Sequence, residues 1–433
     1  MFLAISVLLA FTIGCGNRNS GGNGATAANS SVLKHDPVEL VFYYPFPQDW
    51  DEAKFMATFG EPIHKKFNYI TVKYLSGVKG STIPELVTAG QTIDVIAASI
   101  GATAANLLDP GFQTDITPLI KKHNIDLSKM DSSMIDLAKQ YANGGIYGLP
   151  VYVPPTTVYY NKDIFDKFGV SYPKDGNTWD DMYELDKKLT RSDGGIQYYG
   201  FGSSYGHTYL LNQRSIPLID PKTLKSTLYT DDRWKDYFRN FVRMYKLPGY
   251  EILKSNQLSE PNERNEFFKD RIFATFTALT ALEPEQNLQG LNFDFASYPV
   301  FADKPDVGPQ AYPAFFYPTA TSKYKDDALD AIAYLTSDEF QMVNSKSAAF
   351  VPASPNLEVL KAFGQDNPTY KGKHVTALKP KKYAPAGAVT RYDKTGADNT
   401  TIKNLILKNQ DLNEALRAGA EKIDKAIEAA EAK

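Results

Sequence analysis

From Val38 onward, apolar strand-like runs alternate with helical stretches, and no other feature of the chain constrains its fold as strongly. Val38–Tyr44 (VELVFYY) is apolar, β-branched and aromatic, the composition of a strand. Phe55, Phe59, Ile63 and Phe67 then recur every four residues, a helical face interrupted by Gly60 and Pro62. Tyr69–Leu75 reads as a second strand, Ser81–Ala89 as a short helix with Pro84 in its first turn, and Ile93–Ala98 as a third strand. Ala102–Leu108 follows as a helix of small residues. Such alternation calls for a parallel sheet covered by helices on both faces.

A second alternating region opens near Thr157. Thr157–Tyr160, Ile196–Gly202 and Arg271–Thr277 read as strands. Thr178–Leu189 reads as a helix capped by Thr178, its apolar face being Trp179, Met182, Leu185 and Leu189. Asp326–Thr336 and Leu412–Ala430 are two further helices. Two segments, Tyr147–Pro155 (YGLPVYVPP) and Pro313–Pro318 (PAFFYP), are strand-like but carry proline, which argues against a central strand. They suit extended crossings between two lobes. The length of 433 residues accommodates two or three domains, and no internal repeat of 20–50 residues is visible.

Composition narrows the function. Charged residues are 22% and hydrophobic residues 43%, which excludes a mostly disordered chain and a polytopic membrane protein. A net charge of −3 gives no sign of nucleic-acid binding. Tyr, Phe and Trp number 27, 25 and 3, more polar-tipped aromatics than a core needs. Five His and one Cys exclude a Cys/His zinc cluster and any disulfide within the chain.

That one cysteine is informative by its position. Cys15 follows the apolar run FLAISVLLAFTI, which is too short to span a bilayer and has the length of a secretory signal core. In the 16 residues after it, 11 are Gly, Asn or Ser, the composition of a flexible tether. The segment resembles a bacterial lipoprotein signal. The resemblance implies a signal peptide over 1–14, acyl chains on Cys15, a tether over 15–37 and a site of action on the outer face of the cell membrane.

The stretch YGLPVYVPPTTVYYNKD (147–163), followed by Thr178–Trp179–Asp180, resembles the substrate-binding lipoproteins of ABC importers, the large extracellular family that includes maltose-binding proteins. Thr88–Ala89–Gly90 with Asp94–Val95, Tyr199–Gly202 (YGFG), Arg271–Phe276 and Asp326–Gln341 match in order and spacing. The resemblance covers residues 38 to about 355 and the C-terminal helix; 357–406 does not align. It implies an α/β, two-lobed fold, each lobe a mainly parallel sheet flanked by helices, with the ligand between lobes. Lobe one is then 38–153 with 314–348, and lobe two 154–313 with 349–433.

The same resemblance puts the ligand contacts on loops after strands and on the crossings. A sugar offers hydroxyls on its rim and C–H faces above and below, so its receptor needs carboxylates, amides and aromatic platforms. Trp50 between Asp49 and Asp51 has that combination, although the same acids would also suit a helix N-terminus. Ser99, Tyr152, Ser204, Tyr205, His207, Thr277, Thr280, Tyr317 and Tyr392 complete the expected set. No metal and no cofactor are expected. Arg191–Ile196 has one carboxylate, whereas calcium takes 6–8 oxygens.

The expectation is a monomeric receptor without catalysis, delivering a di- or trisaccharide, chitin- or hemicellulose-derived, to a membrane permease. Two rivals stand beside it. One is a receptor for another solute, a peptide or ferric iron, the latter suggested by Tyr159–Tyr160. The other is a secreted esterase: Gly202–Gly206 fits Gly-x-Ser-x-Gly around Ser204, with His374 as the downstream base.

Overall fold

Val38–Tyr44 forms the strand its composition predicts, and both its faces are covered. Leu40, Phe42 and Tyr44 enter one apolar cluster while Tyr43 enters another on the opposite face, the alternation that a pleated strand imposes. Phe55, Phe59 and Ile63 are fully buried beneath the following helix. That helix runs in three pieces, Glu52–Phe55, a π-turn Met56–Gly60 and Glu61–Lys66. The widened turn lies just before Pro62, which has no N–H to give to the helical ladder.

The computed structural model describes residues 35–252, 260–279, 282–397 and 399–432, and of Tyr205, Ile252 and residues 260–262 only the backbone. Cys15, the proposed leader and most of the tether lie outside the described residues. Within the unit Pro37–Lys433, two sheets carry the architecture. The first has six strands in the order Val351–Pro352, Leu149–Val153, Ala314–Pro318, Val95–Ser99, Val38–Tyr44, Ile70–Ser76. The second has four, in the order Phe293–Ser297, Thr157–Asn161, Thr275–Ala278, Gly202–Ser203.

The α/β, two-lobed reading holds, but the sheets are mixed rather than mainly parallel. Val38–Tyr44 runs parallel to both Ile70–Ser76 and Val95–Ser99. Ala314–Pro318 and Leu149–Val153 are antiparallel to their neighbours. In the second sheet only Gly202–Ser203 with Thr275–Ala278 is parallel. The reason is connectivity. A helix between strands returns the chain for a parallel pairing, whereas a strand leaving a lobe and one re-entering it run in opposite senses. The third crossing also lies later than 348, because Val351–Pro352 still pairs with Leu149–Val153.

Elsewhere the local rules hold with small shifts. Thr178 caps Trp179–Leu189 in a reciprocal box with Asp181, the hydroxyl accepting from Asp181 N at 3.1 Å and the carboxylate from Thr178 N at 2.8 Å. The stretch read as Ile196–Gly202 divides. Ile196–Tyr198 pairs back on Arg191–Asp193 through Gly194 and Gly195, both at positive φ, and only Gly202–Ser203 joins the sheet. The C-terminal helix Leu412–Glu431 buries Leu416, Ala420, Ile423 and Ile427 on the larger core cluster.

Candidate functional site

The loop after the first strand is held from several sides. Asp51 caps the next helix, its Oδ1 accepting from Lys54 N at 2.8 Å. Its carboxylate is thus placed as a helix terminus requires. Trp50 is only 4% exposed. Its indole packs edge-on against Phe59 and Tyr152, with centroids 4.9 and 5.8 Å away, and Lys54 Nζ stands 4.5 Å over the ring. The expected sugar platform is therefore a core residue, because its faces and edges are already covered.

Asp49 is different. Trp50 Nε1 donates to Tyr152 Oη at 3.0 Å, Tyr152 Oη to Tyr44 Oη at 3.4 Å, and Tyr44 Oη to Asp49 Oδ2 at 3.1 Å. Lys54 Nζ donates to the Asp49 carbonyl at 2.9 Å. Burial raises the Asp49 carboxyl, against the Tyr44 hydrogen bond and the charges of Lys54 and Arg264. Arg264 comes from the helix Glu260–Asn265 of the second lobe, and its Nε donates to buried Glu283 at 2.5 Å. The charge of Arg264 is felt both by Asp49 and by His207.

His207 lies on the short helix Tyr205–Leu210, its ring edge-on to Tyr312 at 5.7 Å. Its Nδ1 is buried with no hydrogen-bond partner among the described residues. Burial pushes the imidazole down to about 4, and the Arg264 and Lys394 charges act the same way, so the ring is neutral at pH 7. Tyr312, in the second crossing, hydrogen-bonds the Ser99 side chain. Its phenol lies on Gly101, where a Cβ would come 2.2 Å from Oη, so that position requires glycine. Asn399 packs on Gly206 next to His207, and its Oδ1 is also buried without a partner among the described residues.

Asp49, Ser99, Tyr152 and His207 are thus linked, and Tyr44, Arg264, Tyr312 and Asn399 join them unforeseen. No local pattern marks these four; Tyr44 reads as a strand residue and Arg264 as one more charge on a helix. Ser204 is fully buried, its Oγ donating to Thr277 O at 3.3 Å and accepting from Leu279 N at 3.1 Å. It stitches two strand ends rather than facing a ligand. Thr277 Oγ1 donates to Gly202 O at 3.3 Å in the same seam. Tyr317 is 4% exposed, bonded to Thr103 Oγ1 at 2.7 Å within a core cluster. The Tyr392 hydroxyl is held by Glu431 at 2.5 Å, on the C-terminal helix. These four are corrected to structural roles. Thr280 and the Tyr205 side chain lie outside the described residues.

Two rival chemistries lose their geometry. His374 contacts Phe295 O at 3.3 Å and Asp175 at 3.3 Å, while the Ser204 hydroxyl is engaged by backbone, so no Ser–His pair forms. Tyr159 and Tyr160 are 1% and 7% exposed, the first among Phe267, Phe268, Phe293 and Phe295 and the second against Phe165 and Tyr172. Neither phenol is open to an iron. No helix among the described residues is long and apolar enough to cross a membrane.

A two-lobed α/β chain with polar side chains converging from both sheets belongs to the class of solute receptors. Residues 49–342 match the family model for bacterial extracellular solute-binding proteins, and the chain belongs to that family. It is 29% identical to the arabinooligosaccharide-binding protein of Bacillus subtilis over 197 residues, which are 45% of this chain and 42% of that protein. Among solved structures it is similar to a sugar transporter protein from Rhizobium etli in an open conformation. There the TM-score is 0.71 at 21% identity, over 89% of this chain and 99% of the other. An ABC substrate-binding protein from Listeria monocytogenes in complex with cycloalternan gives 0.69 at 17% identity, over 90% and 99%. At such identities the likeness is one of fold.

Proposed function

We propose that this protein is the capture component of an ABC importer for an oligosaccharide, held at the outer face of the cell membrane through Cys15. The observation that carries the reading is the meeting of Asp49 from one lobe with Arg264 and His207 from the other, in a chain of the solute-binding family. A carboxylate and a guanidinium give charge-assisted hydrogen bonds to sugar hydroxyls. A neutral imidazole can accept from one hydroxyl or donate to another. The ligand named for the Bacillus relative, an arabinose oligomer, and the cycloalternan of the Listeria structure are both oligosaccharides. The reading includes no catalytic step, which agrees with the backbone engagement of Ser204.

Thermal-shift screening against arabinotriose, xylotriose, maltotriose and chitotriose tests the ligand class. A ligand at 100 times its Kd stabilises by about 2.7 kcal/mol, enough for a clear rise in Tm. No rise with any sugar, together with a rise for a peptide pool, would replace the oligosaccharide by another solute. The anchor has its own check. Mass spectrometry of membrane-extracted protein should find diacylglycerol on Cys15, and an unlipidated protein there removes the anchor while leaving the receptor.

A further inference from the structure

The hydroxyls of Tyr44 and Tyr152 form a one-way relay. Each has a single proton to give, and the path from Trp50 Nε1 through Tyr152 and Tyr44 ends on Asp49 Oδ2. That end occupies one carboxylate oxygen; no hydrogen bond from the described residues reaches the other, Oδ1. The relay's middle member has a particular address. Tyr152 is paired in register with Ala314 on one side and Pro352 on the other. Those three positions belong to the three strands that carry the chain between the lobes. Tyr152 thus stands where all three crossings lie side by side, while Asp49 stands opposite Arg264 of the second lobe.

Resting on the oligosaccharide reading above, we propose that Tyr44 and Tyr152 are positioning residues. They fix the Asp49 carboxylate so that one oxygen is presented to the ligand, and they tie its orientation to the crossing point between the lobes. Their rings would pack equally well without hydroxyls, since Tyr44 meets Phe46 at 6.0 Å and Tyr152 meets Phe350 at 5.5 Å. The relay therefore asks for tyrosine where packing alone would accept phenylalanine. A carboxylate without its donor turns freely about its terminal torsion, which has broad wells, and loses preorganisation for the ligand.

The test has one arm with sugar and one without. With whichever of the four trisaccharides binds, Tyr44→Phe should weaken affinity about tenfold by calorimetric titration, and Asp49→Ala more. Tyr44→Phe added to Asp49→Ala should then cost nothing further, because the group it positions is gone. A tenfold loss in both backgrounds would make Tyr44 a structural residue and overturn the proposal. In the sugar-free arm, the Trp50 indole N–H resonance is assigned by its absence in Trp50→Phe. Asp49→Ala should shift that resonance two hydroxyls away, and Tyr44→Phe should abolish the response. A Trp50 resonance indifferent to Asp49→Ala breaks the relay. If no trisaccharide binds, the oligosaccharide reading fails and the resonance arm still decides the relay.

Discussion

Trp50→Ala should lower the stability of the protein by about 3–5 kcal/mol, the usual cost of truncating a buried aromatic. The indole is 4% exposed and stands edge-on to Phe59 and Tyr152, so its removal leaves a hole lined by rings that cannot all collapse inward. The same change strips Tyr152 of the Nε1 donor at 3.0 Å and Lys54 of the ring beneath its ammonium at 4.5 Å. Each adds about 0.5–1 kcal/mol. Trp50→Phe refills most of the volume and should recover more than half of the loss. It leaves the Tyr152–Tyr44–Asp49 bonds in place, so ligand affinity in Trp50→Phe should stay within a few-fold of wild type. Urea unfolding and calorimetric titration of the two variants measure both quantities. A normally stable Trp50→Ala protein with its affinity lost would return Trp50 to the ligand as a stacking platform.

The second large effect concerns Asp186, buried at 1% exposure behind the second sheet. Burial raises its carboxyl to about 7, even though the Thr190 and Tyr250 hydroxyls lie 2.7 and 2.9 Å from Oδ1. Its Oδ2 has no partner among the described residues. The native state therefore binds this proton more tightly than the unfolded chain does. The sign follows from linkage. Below about pH 4 both states are protonated and the residue costs nothing; as pH rises toward and through 7 the unfolded chain ionises first and stability falls. The full effect is about 4 kcal/mol. Asp186→Asn cannot ionise, so the variant should gain on wild type as pH rises from 4 to 8. The two proteins' urea midpoints at pH 4.5, 6 and 8 give this difference directly. A constant difference across that range would mean that Asp186 is ionised in the folded protein at every pH tested.

Much of the scaffold was legible because it depends on local order. A strand such as Val38–Tyr44 and a capped helix such as Trp179–Leu189 are specified by the period of apolar residues and by one terminal side chain. The lipoprotein-like start and the two proline-rich crossings were readable for the same reason. The misreading over Ile196–Gly202 was local too: the two glycines after Asp193 turn the chain into a hairpin, and that turn outweighs the apolar run after it.

The site was legible only in part. A tryptophan between two aspartates has one appearance in a sequence and two uses in a fold. Which use applies depends on whether Phe59 and Tyr152 arrive to cover the ring, and Tyr152 is 102 residues away. Ser204 looks like a nucleophile until the strand carrying Thr277, 73 residues on, takes its hydroxyl. Arg264 carries no local mark and gains its role by being folded between Glu283, Asp49 and His207. Sequence by itself determined the elements, the family and the segments that cross between lobes, since periodicity, caps and prolines act over a few residues. Tertiary structure alone decided which polar groups stay open to a ligand, because burial and hydrogen-bond satisfaction are properties of groups brought together from distant parts of the chain.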